Sequence, residues 1–426
     1  MTILATLFTS TFMGCADDDA STPGYGIGGS SGTSSGGTNT ESDSNTYTDT
    51  SSDTYTNTNT NTSTNTSTDT DTETNTDTDS DTDTGTDTNV NTGTDTDTGS
   101  GTDTDTDTVI SVDVCPFELE GWATMPSAVA PEGTTGGGDA PPEEISPMGE
   151  LRSAMSGETP RVVILSGTVS TGGDALEVNH NKTLRGKDKD ARIVGGIEIR
   201  GSNVILQNFT IEGAGAGGSP GDATNSDEAS NMWMDHLAIF DGPDGIMDLT
   251  NGSDLGTISW CKFWYTDPGH GHRLALLFGN GSKKCEIDGG KQNHTIHHNW
   301  FAELVRSRAP RLLFGKGHIY NNFYNSEGNN YCIGIGSWAS GLIQNNYFKD
   351  TNSPHRHQDH HKSYIVAEGN IYDNTDGSTD TGFKDESKSE CDLPMEDPGP
   401  WTPTYDYTLH PAEIIPELVQ RCAGPQ

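Results

Sequence analysis

The sequence predicts an all-β fold, a parallel β-helix whose short strands stack coil upon coil. One phrase recurs between Ala191 and Tyr372: a β-branched run, an asparagine, two aromatic or apolar residues, then Gly or Asp. The last four asparagines of this phrase are 23, 24 and 24 residues apart. That period suits a coil of three strands and three turns, with the asparagines stacked as a ladder. Helical periodicity is nearly absent, and the 52 glycines suit many tight corners.

The start of the chain is not part of this fold. Residues 2–13 form a short apolar stretch that ends at Gly14-Cys15, which is typical of a signal peptide and too short to span a membrane. Residues 1–15 resemble a bacterial lipoprotein signal in which Cys15 carries the lipid. We therefore expect a secreted or cell-surface protein, with an outer-membrane lipoprotein as the favoured form and an ordinary leader or a misassigned start as the alternatives.

Residues 16–110 are predicted to be a disordered linker. They consist mostly of Thr, Asp, Asn, Ser and Gly and have no Lys or Arg, so they bury too little apolar surface to offset chain entropy. They hold 20 acidic residues, which is half of the net charge of −40. The remaining half falls on a folded domain at 111–426. Such acidity makes nucleic acid and anionic lipid poor partners unless a bound cation or a local basic patch reverses the sign.

Short β-branched runs mark the strands of this domain, and one helix precedes them. We predict the helix around Ile145 to Met155, with Ser146 as the N-cap and Pro147 at the first helical position, covering the open end of the solenoid. The predicted strands are Arg192–Val194, Ile197–Ile199, Val204–Leu206, Thr257–Ser259, Leu274–Phe278, Thr295–Ile296, His318–Tyr320 and Gly341–Ile343.

Cysteine usage agrees with export. Six cysteines follow the signal, with no Cys-x-x-Cys pair among them, and in an exported protein we interpret them as disulfides. Fifteen pairings are possible and the sequence selects none; buried free thiols are the alternative. These cysteines are Cys115, Cys261, Cys285, Cys332, Cys391 and Cys422.

Three aspartates are predicted to converge. Asp222 and Asp244 are 22 residues apart, which places them one coil apart, and Asp248 follows Asp244 at i+4 on one strand face. Like charges at such closeness favour a bound hard cation, and oxygen ligands suit Ca²⁺. Solvated surface acids are the alternative interpretation.

Histidines also cluster, for example at His355, His357, His360 and His361. The group lies in a polar stretch without cysteines and without regular ligand spacing. We interpret it as a solvated loop or as sugar contacts rather than as a zinc site.

Several motifs occur in order along the domain. They include Asn231-Met232-Trp233-Met234-Asp235-His236, Asp244-Gly245-Ile246-Met247-Asp248, Arg308-Ala309-Pro310-Arg311 and His318-Ile319-Tyr320-Asn321-Asn322. Over roughly residues 120–422 they resemble the pectate lyases of polysaccharide lyase family 1. The resemblance implies a right-handed parallel β-helix that cleaves α-1,4-linked galacturonan by β-elimination and leaves a 4,5-unsaturated end. We expect a monomer whose partner is polygalacturonate or pectin.

The resemblance also assigns site residues. Asp222, Asp244 and Asp248 match the calcium-binding acids of the family, and Arg308 matches its catalytic base. Nearby cations lower the pKa of a guanidinium, and cations against the substrate carboxylate stabilise the charge that grows as the C5 proton leaves. We expect Arg308 two coils beyond Asp248, on the order of 10 Å away.

Two positions depart from the family pattern. A second family arginine, five residues after the base, is Leu313 here, so Arg311 or Arg306 would have to substitute. The family lysine between the calcium site and the base is also missing, and Arg273 is the available replacement. We therefore predict Arg273 and Arg311 as substrate-binding residues.

Two other functions stay open at this stage. A surface β-helix could bind acidic polysaccharide without cutting it, because the second arginine is absent. A pectin lyase would prefer the methyl-esterified polymer, but those relatives generally do without calcium. The three aspartates favour the unesterified polymer.

Overall fold

The computed structural model describes residues 114–213, 221–358, 362–385 and 393–426. The predicted signal peptide with Cys15 and the predicted linker at 16–110 lie outside these ranges, as do His360, His361 and Cys391.

The described chain winds through three long sheets, and each coil adds one strand to each sheet. Sheet A comprises Pro142–Ile145, Arg161–Leu165, Lys182–Gly186, Val204–Gln207, Ser230–Asp235, Asp254–Ser259, His294–His297, Lys316–Tyr320, Ala339–Gln344, Ser363–Glu368 and Gly382–Lys384. Sheet B comprises Leu176–Val178, Ile197–Ile199, Asp222–Asp227, Gly245–Thr250, Leu276–Phe278, Arg311–Leu313, Ile333–Gly336 and His355–His357. Sheet C comprises Thr168–Ser170, Arg192–Val194, Thr210–Glu212, Ala238–Phe240, Lys262–Trp264, Trp300–Phe301, Phe323–Tyr324, Tyr347–Lys349 and Ile371–Asp373.

Nearly all strand pairs are parallel. Among the described strands, the one antiparallel pair joins Ser363–Glu368 to Gly382–Lys384 at the C-terminal end of sheet A. The predicted all-β parallel β-helix is therefore confirmed.

The interior is filled by in-register apolar columns. In sheet A, successive strands place one fully buried side chain above another, and every member is 0% exposed. Burying a Leu, Ile or Met side chain contributes about 1.5–3 kcal/mol, so each coil is stabilised chiefly through its neighbours. This column consists of Leu184, Leu206, Met234, Ile258, Ile296, Ile319 and Ile343.

The predicted helix is confirmed at Met148–Met155, and its buried face of Leu151, Ala154 and Met155 covers the N-terminal end of the core. The predicted cap is wrong: the N-cap is Pro147, and no side chain caps the helix. Further helices are Cys285–Asp288 and Ile415–Cys422, and 3-10 turns lie at Trp122–Thr124 and Ala412–Ile414. None of the helices in the described ranges has the length and apolar character needed to cross a bilayer.

The predicted asparagine ladder is confirmed. The side-chain oxygen of Asn322 accepts from the backbone N–H of Asn299 at 2.9 Å, and Asn346 and Asn370 repeat the contact at 2.9 Å each. Cys261 occupies the same position one coil earlier, where its N–H donates to the Asn299 side chain.

The cysteine prediction holds only in part. Cys115 and Cys422 form a disulfide that joins the first described residues to the C-terminal helix, and Cys285 is disulfide-bonded as well. Cys261 and Cys332 are buried free thiols, so the disulfide interpretation is wrong for them. The reason is that both lie inside the solenoid and pack as small apolar side chains.

Candidate active site

The outer face of sheet B carries one in-register column of side chains. Alternate residues of each short strand point outward, and the parallel register stacks them about 4.8 Å apart. Acidic residues occupy one end of this column and arginines occupy the other. In chain order the column is Glu177, Glu198, Asn225, Asp248, Leu277, Arg311, Gly334 and Arg356.

Two of the predicted metal ligands converge beside this column. Asp222 pairs with Gly245, and Asp248 pairs with Asn225 on the neighbouring strand. A Cβ placed on Gly245 would lie 2.6 Å from Asp222 Oδ1 and 3.8 Å from Asp248 Oδ1. The absence of a side chain at Gly245 therefore lets the two carboxylates approach each other.

The third aspartate stands apart. Asp244 lies one residue before its strand begins, and its N–H donates to the carbonyl of Gly221, so the predicted match between Asp222 and Asp244 is off by one residue. Its side chain is 63% exposed and pairs with His272 Nδ1 at 2.7 Å. In the described ranges, no three His, Cys, Asp or Glu side chains are grouped so that they could hold a metal ion. This agrees with the outward orientation of the Asp244 carboxylate.

The electrostatics nevertheless link Asp222 and Asp248 to Arg308 and to Asp244. Burial, followed by the charges of Asp248 and Asp244, raises the pKa of Asp222 to about 9, and Arg308 opposes this rise. Burial raises the pKa of Asp248 to about 7, against the charge of Arg308. Both carboxyl groups are half-buried and resist ionisation. The site therefore lacks the positive charge that would stabilise them as carboxylates.

The donors present fit a hard cation. Besides the carboxylates, the side-chain oxygen of Asn225 is buried and has no hydrogen-bond partner among the described residues. Asn225 lies three residues after Asp222 and in register with Asp248, so it adds a neutral oxygen to the same place. An all-oxygen set suits Ca²⁺ better than a transition metal. The sequence analysis missed Asn225 because a lone asparagine in a strand carries no signal.

Arg308 reaches this site from a strained corner. Its backbone is left-handed, with φ of 61°, and its carbonyl accepts from the N–H of Leu276 at 2.6 Å. Arg308 precedes the strand that lies two beyond the strand of Asp248, so the predicted separation of two coils is confirmed, and the residue in register with Asp248 is Arg311. The side chain of Arg308 lies near enough to Asp222 and Asp248 for its positive charge to oppose the rise in the pKa of both.

Further arginines lie close to Arg308 in the fold. The Arg306 N–H donates to the carbonyl of Arg273 at 2.7 Å, so these two lie on adjacent coils. Arg311 is only 9% exposed, and its Nε has no hydrogen-bond partner within the described residues. Leu313 is 1% exposed and packs against Phe314, so it belongs to the core and not to the site. Arg311 is therefore the better-placed substitute, while Arg306 is exposed.

Two other residues at the site carried no clear signal in the sequence. The Tyr265 hydroxyl donates to the carbonyl of Leu274 at 2.8 Å, and burial, then the charge of Asp222, raises the pKa of Tyr265. Buried aromatic residues in apolar strands look like core residues, so the sequence pattern did not distinguish Tyr265 from the core. His272 was visible as part of a histidine cluster but had no assigned partner.

The other histidine cluster is structural. His355 and His357 are buried in a strand of sheet B, so the interpretation as a solvated loop is wrong for them. His355 Nε2 is hydrogen-bonded to the Tyr372 hydroxyl at 2.7 Å, and His357 Nδ1 to the Ser363 hydroxyl at 2.7 Å.

Known proteins share both the sequence and the fold. The chain is 33% identical to pectate lyase A of Emericella nidulans over 51% of its length and 66% of the relative. It is 32% identical to the pectate trisaccharide-lyase of Thermotoga maritima over 52% of its length and 59% of the relative. It is 30% identical to pectate lyase A of Aspergillus niger over 68% of its length and 84% of the relative. The chain thus spans roughly three fifths of the length of several curated relatives.

Solved structures agree on the fold. A thermostable pectate lyase superposes with a TM-score of 0.57 and 22% identity, covering 73% of this chain and 98% of that one. Pectate lyase II of Xanthomonas campestris gives a TM-score of 0.56 and 22% identity, covering 72% and 98%. Residues 119–424 match the family model described as pectate lyase. The chain therefore belongs to the pectate lyase family of parallel β-helix proteins.

Proposed function

We propose that this chain is a calcium-dependent pectate lyase that cleaves α-1,4-linked galacturonan by β-elimination and releases 4,5-unsaturated oligogalacturonides. The observation that carries the proposal is the convergence of Asp222 and Asp248 at Gly245, close enough to Arg308 for its charge to act on both carboxyl groups. Family membership over residues 119–424 and the names of the relatives support the substrate and the reaction class.

The acids supply the cation site. Asp222, Asp248 and Asp244 would hold Ca²⁺, with Asn225 as a neutral oxygen donor. Bound calcium would supply positive charge beside the substrate carboxylate and so stabilise the negative charge that develops there. The chain without calcium repels this substrate, because the folded domain carries about half of a net charge of −40.

Arg308 would move the proton. It takes the proton from C5 of the uronate, the C5–H electron pair becomes the C4=C5 double bond, the C4–O bond breaks, and the leaving oxygen takes up a proton. A guanidinium has an ordinary pKa above about 12, and carboxylates beside it favour the charged form. The base role therefore requires that Asp222 and Asp248 be neutralised.

Arg273 and Arg311 would orient the substrate. A guanidinium binds a carboxylate through two parallel hydrogen bonds, which fixes the sugar ring as well as attracting it. Arg311 has donor capacity in reserve, because its buried Nε has no partner in the described part of the chain.

We also propose that the enzyme is exported and acts as a monomer. The disulfide between Cys115 and Cys422 supports an oxidising compartment. Lipid attachment at Cys15, with residues 16–110 as the linker to the domain, completes this proposal and is tested by mass spectrometry of the mature N-terminal peptide.

Ultraviolet absorbance of the unsaturated product tests the activity. Wild-type protein should generate it from polygalacturonate in excess Ca²⁺, and a chelator should abolish it. Arg308→Ala should lower kcat by about 10²–10⁴-fold, the usual contribution of a positioned base. Arg161→Ala is the matched control, since Arg161 is 40% exposed and pairs with Glu143 on sheet A.

Three outcomes decide between the alternatives. Binding of polygalacturonate without any product would replace the lyase proposal with that of a non-catalytic polysaccharide-binding β-helix. Product formation that is insensitive to chelator would refute the role of calcium. Faster turnover of methyl-esterified pectin than of the de-esterified polymer would identify a pectin lyase.

A further inference from the structure

We infer that sheet B carries a further carboxylate-binding subsite, formed by Arg356 and Gln358 beyond Arg311, which binds another galacturonate unit of the same polymer chain. The inference rests on the proposed function and extends it to the length and direction of the bound polymer.

The register places Arg356 on the substrate side of the solenoid. Arg311 pairs with Gly334, and Gly334 pairs with Arg356. With strands about 4.8 Å apart, Arg356 lies about 10 Å beyond Arg311 and about 19 Å beyond Asp248 along one outward column. Groups that can bind a carboxylate therefore recur at every second strand. They are Asp248, through its bound cation, then Arg311 and then Arg356. A linear polyuronate that crosses the strands would meet them in turn.

Gln358 fills the gap between the two arginines. Its side chain lies across Gly334, where a Cβ would collide with its amide nitrogen. Gln358 is 3% exposed, yet its side-chain Nε2 has no hydrogen-bond partner among the described residues. A buried amide donor without a partner is destabilising, and a carboxylate or hydroxyl of the polymer would satisfy it.

The guanidinium of Arg356 is already oriented. It lies over the ring of Tyr331, with 4.8 Å between Cζ and the ring centroid. Tyr331 is 2% exposed, so this face of the arginine is fixed by the fold. A side chain held in this way loses less conformational entropy when it binds a carboxylate.

The charges along the column give the bound polymer a direction. On the other side of the calcium-binding acids the column holds Glu198 and then Glu177, which would repel a uronate. Arg200 pairs with Glu198 and with Asp227, so these two acids already neutralise its charge. The polymer should therefore extend from the Asp222 and Asp248 site toward Arg356.

Steady-state kinetics and binding on polygalacturonate test this subsite. Arg356→Ala should raise KM about tenfold, the loss of one charge-assisted contact, while kcat falls much less because the contact lies away from the broken bond. Arg356→Lys should recover part of the loss, and Gln358→Ala should raise KM by a smaller factor. Unchanged KM in Arg356→Ala would overturn the inference.

Binding measured by calorimetry separates this inference from the proposed function. A wild-type protein that binds polygalacturonate but forms no product refutes the lyase and leaves the subsite testable, because Arg356→Ala should still weaken Kd about tenfold. An equal loss of affinity for fully methyl-esterified polymer would refute carboxylate recognition. Thermal unfolding of each variant, with Arg161→Ala as control, identifies a variant that has lost its fold.

Discussion

Acid should destabilise this β-helix through buried histidines, and His294 gives the clearest magnitude. The ring is 0% exposed; its Nδ1 accepts from the Gly256 N–H at 3.2 Å, and its Nε2 is hydrogen-bonded to Gln292 Oε1 at 3.0 Å. Burial lowers the pKa of His294 from 6.5 to about 3. Below pH 6.5, His294 is protonated in the unfolded chain but stays neutral in the folded chain. Stability is therefore lost as the pH falls from 6.5 toward 3.

The size of this effect follows from 1.36 kcal/mol per pKa unit. At pH 5 the loss assigned to His294 is about 2 kcal/mol, and near pH 3 it approaches about 5 kcal/mol. Burial also lowers the pKa of His297 and of His318 to about 4, so the whole protein should lose more than one histidine explains. The raised pKa values of Asp222 and Asp248 act in the opposite direction.

Urea unfolding of wild type and His294→Gln at pH 7 and pH 5 checks the reasoning, because contributions common to both proteins cancel. The variant should be less stable at pH 7, but its loss between pH 7 and pH 5 should be smaller than that of wild type by about 2 kcal/mol. Thr295→Val removes a neighbouring buried hydroxyl that does not titrate, and should destabilise equally at both pH values. An identical pH dependence in wild type and His294→Gln would refute the argument.

Other predictions concern the cation, the disulfide and the ladder. Asp222→Asn should stabilise the calcium-free protein by about 1–3 kcal/mol and shrink the rise in Tm on adding Ca²⁺; an undiminished rise would contradict the metal assignment. Replacing Cys115 and Cys422 by Ser should lower the free energy of unfolding, measured in urea under oxidising conditions, by about 2–5 kcal/mol, and equal stability of variant and wild type would contradict the role of this disulfide. Asn322→Ala should cost about 3 kcal/mol in urea unfolding because the Asn299 N–H and the Ile296 carbonyl lose their partner, whereas Asn370→Ala at the end of the ladder should cost less.

Sequence spacing could predict the repeating coil of the fold, but not which residues of neighbouring strands lie in register at the site. The outward column of sheet B advances by 23 residues from Asn225 to Asp248, by 29 to Leu277, by 34 to Arg311 and by 23 to Gly334. Corners take insertions at little energetic cost, whereas strands in contact cannot change their alignment. The asparagine ladder was predictable because its coils keep one length. Asp222 and Asp244 are offset by one residue, and Arg311 rather than Arg308 lies in the column with Asp248, because the corners beside the site vary in length.

The same irregular corners concentrate the function at one place. A domain with about half of a net charge of −40 repels a polyuronate over most of its surface, so binding requires a local reversal of sign. Sheet B provides Arg308, Arg311 and Arg356 on one side of the acids, and the acids can reverse sign only by taking up a cation. In the proposed enzyme, calcium would therefore act on affinity as well as on chemistry. Raising the ionic strength screens the repulsion and the arginine contacts together, so activity should respond far more steeply to the calcium concentration than to monovalent salt.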